Sequence, residues 1–291
     1  MKKLIAIVLA ALTLAGMFAG CGAADADPTA AAGTEAAGVK TVVDGKLTVA
    51  TSPDFAPMEF VDATKEGQEQ YVGFDITLAK YIAEQLGLEL VISPMSFDAC
   101  QTAVQMGTVD MALSGFSWTE TRAENYNLSD YYHAGDNEDE QILVTLAGND
   151  GKYDSVEKLS GVKVGAQTAS LQESLCQDQL TESEIVVVSD LTTALMQLRN
   201  GDFEALAVAK GNGEAMIANN PDIIESGFYF DVDEKYTGNV IMLQKGNDDL
   251  TEAVNELLAE SESLWNDWSN EAKSIAGVEV SFDDEGNEIT E

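Results

Sequence analysis

Histidine, arginine and cysteine are the scarce residues of this chain. Among 291 residues there is one histidine, His133, two arginines, Arg122 and Arg199, and three cysteines, Cys21, Cys100 and Cys176. A lone histidine excludes a histidine-clustered zinc centre. No Cys-x-x-Cys, Gly-x-Ser-x-Gly or glycine-rich phosphate loop is present to support redox, nucleophilic or nucleotide chemistry. Basic charge is short as well: 15 Lys and Arg stand against 51 Asp and Glu, a formal net charge of −36. Such a surface repels phosphate backbones and anionic headgroups, which excludes nucleic acid as a partner. The acidic run 136–140 lacks the alternating ligand spacing and turn glycine of a calcium loop and reads as a solvated loop. No cofactor and no metal are expected. What the chain does have is core material: 45% hydrophobic and 7% aromatic residues, enough for two lobes rather than a disordered chain.

The first twenty residues differ from all that follows. Met1-Lys2-Lys3 is a short basic start, and 4–20 is almost wholly apolar or small. This reads as a signal peptide, 1–20. Phe18-Ala19-Gly20-Cys21 resembles the lipobox of bacterial lipoproteins, with Phe18 where Leu is usual. The resemblance implies a lipid on Cys21 as membrane anchor. Residues 22–38 hold eight alanines, three glycines and a proline with no large apolar side chain, so 21–44 is expected to be a flexible tether. The protein is then exported and held at the outer face of the cytoplasmic membrane. Cys100 and Cys176 fall in predicted helices almost eighty residues apart and read as free buried thiols.

From residue 47 onward, apolar runs alternate with helical patterns. Strands are expected at 47–51, 88–92, 109–113, 162–166, 185–188 and 205–208. Helices are expected after Asp75, after Asp98, after Ser170 and over 191–198, with Asp75 and Asp98 as N-caps. Strand–helix alternation implies α/β architecture with parallel sheets covered on both faces. A helix end, a glycine and an acidic residue opening an apolar strand occur around Gly107 and again around Gly201, 94 residues on, as two similar lobes would produce. The last helical pattern, 250–275, follows an Asp249–Glu252 capping box, and Trp265 and Trp268 on one face read as core anchors. Arg199, at a helix end, reads as structural.

Groups suited to binding are better represented than catalytic ones. Gly115 lets the chain turn after the strand at 109–113, and Thr119 can cap a short helix carrying Arg122. Hydroxyls, free amides and a guanidinium then converge, which suits a carboxylate. Ser170 and Glu173 form a second capping box, where Ser170 serves either as a cap alone or also as a ligand contact. Phe55 and Phe97 each follow a first-lobe strand, at the carboxyl edge where open α/β sheets bind ligands or simply pack their cores.

Segments 47–60, 72–76, 117–122 and 128–132 together resemble the polar amino-acid-binding family of extracytoplasmic solute-binding proteins, which serve ABC importers; the likeness runs over 46–275. The resemblance implies a two-lobed periplasmic-binding-protein fold, each lobe a mostly parallel sheet flanked by helices. The lobes are joined by two crossing strands near 141–144 and 239–243. Lobe one is then 45–140 with 239–277, lobe two 141–238, and 278–291 an acidic tail. Phe55 and Phe97 match the family's aromatic sandwich, and Gly115 and Ser117 its contacts to the amino group and carboxylate. Arg122 matches its carboxylate clamp, and Ser170 and Leu171 its second-lobe loop, with Gln167 nearby. Ser52 stands where relatives that read cationic side chains place an acid, and Ala209, followed by Lys210, stands where an ammonium-binding Asp is usual. Those two positions argue against arginine, lysine or histidine as the preferred ligand and for a neutral side chain or a less basic carboxylate; if an amino acid does bind well, Glu214 or Asp54 is expected to replace the lost partner. The expected partners are an amino acid or similar small carboxylate and the permease and ATPase of an importer, with binding and hinge closure rather than catalysis. Some relatives on this scaffold are dehydratases of cyclic carboxylic acids, the competing reading. A receptor's sensing domain would need a downstream membrane helix, which the sequence lacks.

Overall fold

The computed structural model describes residues 38–132 and 140–278. Cys21, the expected signal peptide, most of the expected tether, His133, the run 136–139 and the expected tail from 279 lie outside the described residues. In chain order the first lobe contains β1 (Lys46–Thr51), β2 (Asp54–Phe55), β3 (Glu59–Val61), β4 (Tyr71–Val72), α1 (Phe74–Gln85), β5 (Glu89–Pro94), α2 (Phe97–Gln105), β6 (Met111–Ala112), α3 (Glu120–Asn125) and β7 (Tyr126–Leu128). The second lobe runs through β8 (Gln141–Leu146), α4 (Val156–Leu159), β9 (Lys163–Gln167), α5 (Leu171–Gln179), β10 (Glu184–Val188), α6 (Leu191–Asn200), β11 (Ala205–Ala209), α7 (Lys210–Asn219) and β12 (Ile223–Tyr229). The chain then returns to the first lobe as β13 (Met242–Gln244), α8 (Asp248–Ser261) and α9 (Trp265–Ile275).

The two main sheets have the same plan, β5-β1-β6-β13-β7 and β10-β9-β11-β8-β12. Each is parallel across its first three strands, and antiparallel where a strand next to the crossings is inserted: β13 beside β6, β8 beside β11. The sheets are therefore mixed. Helices cover both faces, so the central strands are apolar throughout: Leu47, Val49 and Ala50 in β1, and all of Ala205–Ala209 in β11, are buried. Each lobe has two apolar clusters, one per sheet face. The return crossing is tied to lobe one at the loop after β6: the Val240 N–H donates to the Phe116 carbonyl (2.8 Å) and the Tyr132 N–H to that of Asn239 (3.0 Å). No helix among the described residues is long and apolar enough to cross a membrane.

Several local expectations need correction. Asp75 does not cap α1; Gly73 does, at φ 119°, where an added Cβ would lie 2.2 Å from the Met58 carbonyl oxygen. Asp75 instead turns inward and is fully buried. Asp98 likewise lies inside the first turn of α2 behind Ser96, whose hydroxyl donates to its carboxylate at 2.7 Å. The 250–275 helix is broken by a 3₁₀ turn, Glu262–Leu264, and Asn247, not Asp249, precedes α8, with no side-chain cap. At the break the Ser261 hydroxyl donates to the Leu258 carbonyl and accepts from Trp265 Nε1 at 3.0 Å, a local side-chain bond of the kind that bends helices. Trp265 and Trp268 do anchor the core, Trp268 edge-on to Phe74 at 6.2 Å. Cys100 and Cys176 are free and buried; burial pushes both thiols up, that of Cys176 to about 12.

Candidate functional site

The cleft between the lobes forms where β2, the start of α2, the loop after β6 and α3 face the end of β9 and the start of α5. Thr119 caps α3, its hydroxyl accepting from the Arg122 N–H at 3.2 Å, which fixes the short helix that carries Arg122. Arg122 is 4% exposed. Its Nη1 donates to the Ser117 carbonyl at 2.6 Å and its Nη2 to the Ala169 carbonyl of the second lobe at 2.9 Å. The guanidinium lies 5.6 Å from the Phe97 ring centre and 5.1 Å from that of Phe116, each within cation–π range. Burial lowers its pKa to about 10, so it stays charged at neutral pH. Among the described residues no carboxylate pairs with it. A buried cation that meets only carbonyls and ring faces is a receptive place for an anion.

Eight of the nine residues expected at the site line this cleft: Phe55 and Gly115, Phe97 and Ser117, Arg122, and from the second lobe Gln167, Ser170 and Leu171. Gly115 has φ 53°, and a Cβ there would meet the Phe55 ring at 2.7 Å, so glycine lets that ring approach the loop. Ser170 caps α5, accepting from the Glu173 N–H at 3.1 Å, while Glu173 reaches back to the Ala169 N–H at 2.6 Å. Ser52 is the ninth and does not line the cleft. It is buried behind it, its N–H bonded to Ser114 Oγ (3.0 Å) and its hydroxyl donating to Asp54 Oδ1 (2.8 Å). The space enclosed by these groups is about 20 Å³, room for about one water. A larger ligand enters only when the lobes part.

Sequence reasoning missed Ser114, Gln172 and Ala169. Ser114 donates to the buried Glu59 carboxyl at 2.6 Å beneath the cleft loop. Ala169, at φ 63°, is the one non-glycine residue in the left-handed region among the described residues, and it aims its carbonyl at Arg122. Nothing in an alanine signals that conformation. Asp75 lies under the same loop, accepting from the Gly115 N–H (2.9 Å) and the Tyr132 hydroxyl (3.0 Å), and burial raises its pKa to about 6.

The positions that argued against a basic ligand read differently in three dimensions. Lys210 is ion-paired to Glu140 at 3.0 Å and to Glu214 at 4.0 Å, outside the cleft lining, so its charge is already answered. Ala209 ends β11 at the N-cap position of α7 and, as an alanine, offers no side-chain cap. Beside Ser52, Asp54 supplies the carboxylate that Ser52 itself lacks. Asp54 Oδ2 accepts from the Leu191 N–H (2.7 Å) and from Gln167 Nε2 (3.2 Å), both in lobe two. Desolvation raises its pKa to about 6 against these bonds.

Residues 47–263 match the family model described as bacterial extracellular solute-binding proteins, family 3. The arginine-binding extracellular protein ArtP of Bacillus subtilis is 29% identical over 223 residues, 75% of this chain and 81% of the relative. The cyclohexadienyl dehydratase of Pseudomonas aeruginosa is 28% identical over 165 residues, 56% of this chain and 58% of that one. Among solved structures, the Streptococcus pneumoniae amino acid ABC transporter substrate-binding protein AbpA bound to L-arginine superposes with a TM-score of 0.73 at 31% identity, covering 81% of this chain and 97% of its own. A match over three quarters of the sequence, on a fold with the same two lobes, makes this chain a member of family 3 of the bacterial extracellular solute-binding proteins.

Proposed function

We propose that this protein captures an amino acid, or a small carboxylate like one, outside the cell and delivers it to the permease of an ABC importer. One observation carries the reading: a buried guanidinium, Arg122, stands in an interlobe cleft with no carboxylate partner among the described residues. A ligand carboxylate there gains bidentate, charge-assisted bonds and removes the cost of an unpaired buried charge. Contacts from both lobes to one ligand make closure a consequence of binding, because the ligand favours the state in which both sets are made. The arginine-binding relatives support an amino acid as cargo. Export, a lipid on Cys21 and a tether over 21–44 complete the proposal, with lobe one as 45–140 and 239–277 and lobe two as 141–238.

The test is a thermal-shift panel of amino acids and simple carboxylates on the purified chain. Ligand at a hundred times its Kd adds about 2.7 kcal/mol of stability, an easily seen shift. No shift with any member overturns the reading.

A dehydratase is the second reading, favoured by one feature: Asp54, with its pKa near 6, is a carboxyl able to exchange a proton near neutral pH. Incubation with a cyclohexadienyl carboxylic acid, followed by aromatic absorbance, separates the two; turnover that Asp54→Asn abolishes makes the protein an enzyme.

A further inference from the structure

Beneath the cleft loop lie two acids that the binding reading leaves unused. Glu59, which opens β3, and Asp75, in the first turn of α1, are both fully buried. The Asp75 N–H donates to the Met58 carbonyl at 2.9 Å, which sets the start of α1 against the residue before Glu59. The two carboxyl groups are hydrogen-bonded to one another. Such a bond has a requirement, because two carboxylates are acceptors only and have no hydrogen to place between them. Two charges side by side away from water would also add repulsion to desolvation. Asp75 Oδ1 accepts from no N–H and from no serine, threonine or tyrosine hydroxyl among the described residues, and no basic side chain among them pairs with Asp75.

The neighbouring bonds fix which acid gives the hydrogen. Asp75 Oδ2 accepts from the Gly115 N–H at 2.9 Å and from the Tyr132 hydroxyl at 3.0 Å, so Asp75 is a good place for the charge. The Ser114 hydroxyl accepts from the Ser52 N–H at 3.0 Å, and its single hydrogen goes to Glu59 Oε1 at 2.6 Å. Glu59 thus receives at one oxygen and gives from the other. Desolvation raises the Asp75 pKa to about 6, and the bond to Glu59 works against that rise, as a donated hydrogen does. The remaining titratable group within electrostatic reach of Glu59 is Cys100 of α2, whose thiol burial keeps protonated.

We propose that Glu59 and Asp75 share one proton at neutral pH, and that through Ser114 and Gly115 this pair positions the cleft loop for the cargo. The positioning role rests on the amino-acid reading of the cleft. Ser114 and Gly115 both line the cleft, whereas the two acids lie behind it. Each lining residue is tied to one member of the pair, Ser114 to Glu59 and Gly115 to Asp75. One hydrogen between the acids satisfies both ties; a second one has no acceptor unless a tie is released.

The experiment varies the number of hydrogens between the two groups in the full chain. In Glu59→Gln the amide nitrogen donates to Asp75 while the amide oxygen still accepts from Ser114. In Asp75→Asn the amide nitrogen donates to Glu59, now a carboxylate, while the amide oxygen still accepts from Gly115. Each single variant keeps one hydrogen in place. The double variant sets two amide nitrogens against each other, and relieving that clash gives up the bond to Ser114 or to Gly115. Infrared difference spectra at pH 7 should show the carbonyl stretch of a protonated carboxylic acid in wild type and in neither single variant. Calorimetry uses L-arginine and L-glutamine, one basic and one neutral probe, or the thermal-shift panel member that binds wild type if neither does. Each single variant should bind within about threefold of wild type and the double variant at least about tenfold more weakly, a loss beyond the product of the single effects. Should the double variant not fold, Glu59→Asp takes its place: an acid one methylene too short to reach both Ser114 and Asp75, with the same loss expected. No acid band in wild type, or a band that survives Asp75→Asn, overturns the shared proton. A double variant, or Glu59→Asp in its stead, that binds as the single variants do overturns the positioning role. If wild type binds no amino acid of the panel, the amino-acid reading falls and the positioning role with it, while the infrared result still decides the proton.

Discussion

The two lobes share a strand order yet meet the cleft with different chemistry. The first lobe brings a charged side chain to the lining, Arg122, with the Asp54 carboxyl held behind it by Ser52, Gln167 and Leu191. The second brings neutral groups: the Ala169 carbonyl, the Leu191 N–H, the Gln167 amide and the capped start of α5. Full charges supply most of the attraction for a charged ligand, whereas correctly placed neutral donors and acceptors supply geometry. The comparison teaches an order of events. The order expected is that a ligand docks on the first lobe and the second then completes contacts that exist only when the cleft is shut.

The sharpest way to break that comparison is Arg122→Ala. Leaving a ligand carboxylate without its buried partner costs on the order of 3–5 kcal/mol, so affinity for any bound carboxylate should fall at least about a hundredfold. The second-lobe variant Gln167→Ala should cost less, at most about 1.5–3 kcal/mol for its bond to the Asp54 carboxylate. Calorimetry on both variants checks the ranking; equal losses would erase the asymmetry between the lobes. Circular dichroism of Arg122→Ala should stay native, because the guanidinium's own protein bonds are only two carbonyl contacts.

Next in size is Ala169→Gly. A left-handed alanine costs about 1–2 kcal/mol relative to glycine, offset in part by glycine's larger unfolded-state entropy, about 0.4–1 kcal/mol. The net expected gain in chemical-denaturation stability is up to about 1 kcal/mol, with affinity held or slightly lowered as the carbonyl loses its fixed aim at Arg122. A clear loss of stability would show that the strain at Ala169 has been misjudged.

How much of this was legible beforehand divides along the same line. Residues whose role is local were readable: Thr119 and Ser170 cap the helices they precede, and each reports its pattern within three residues. Residues whose role is set across the chain were not. Asp75 has the sequence pattern of an N-cap, yet the α1 terminus is decided by Gly73 packing on Met58, and the acid is turned under a loop forty residues away. Ser52 alone reads as an uncharged corner, because the acid sits two residues on and accepts from the Ser52 hydroxyl. The helix break at Ser261 likewise depends on Trp265 reaching back to it, which periodicity does not encode.

Acid pH probes the first lobe's buried carboxyls. Asp75 is desolvated and its pKa is raised to about 6 from an ordinary value near 3.8. The native state therefore binds a proton that the unfolded chain does not, and stability from this group is present below its unfolded pKa and lost as pH rises through about 6. Between pH 7 and pH 5 the protein should gain about 1 kcal/mol from Asp75. Asp54 acts in the same direction, and relief of general negative repulsion adds to both. The Asp75→Asn variant isolates its share: urea midpoints at the two pH values should lie closer together than in wild type. An unchanged pH slope removes Asp75 as a titrating group.

The smallest expected effect uses the chain's other arginine, and so tests the comparison residue for residue. Arg199, near the end of α6, is exposed and holds Asp222 through two bonds, Nε to Oδ2 at 2.7 Å and Nη2 to Oδ1 at 2.8 Å, with Asn220 accepting at 2.7 Å. Its pKa is raised, first by the hydrogen bonds to Asp222, the opposite of Arg122, whose pKa burial lowers. A fork geometry is favourable, but exposed ion pairs contribute only about 0.2–1 kcal/mol because water screens them and both side chains lose freedom. Arg199→Ala should therefore lower the urea midpoint slightly, by an amount that shrinks in high salt, and leave ligand affinity unchanged. The contrast expected is that Arg122, costly to keep charged, is needed by the ligand, whereas Arg199, easily kept charged, is not. If Arg199→Ala weakens binding as Arg122→Ala does, then the second lobe also contributes charge to capture, and the neutral role assigned to it here is wrong.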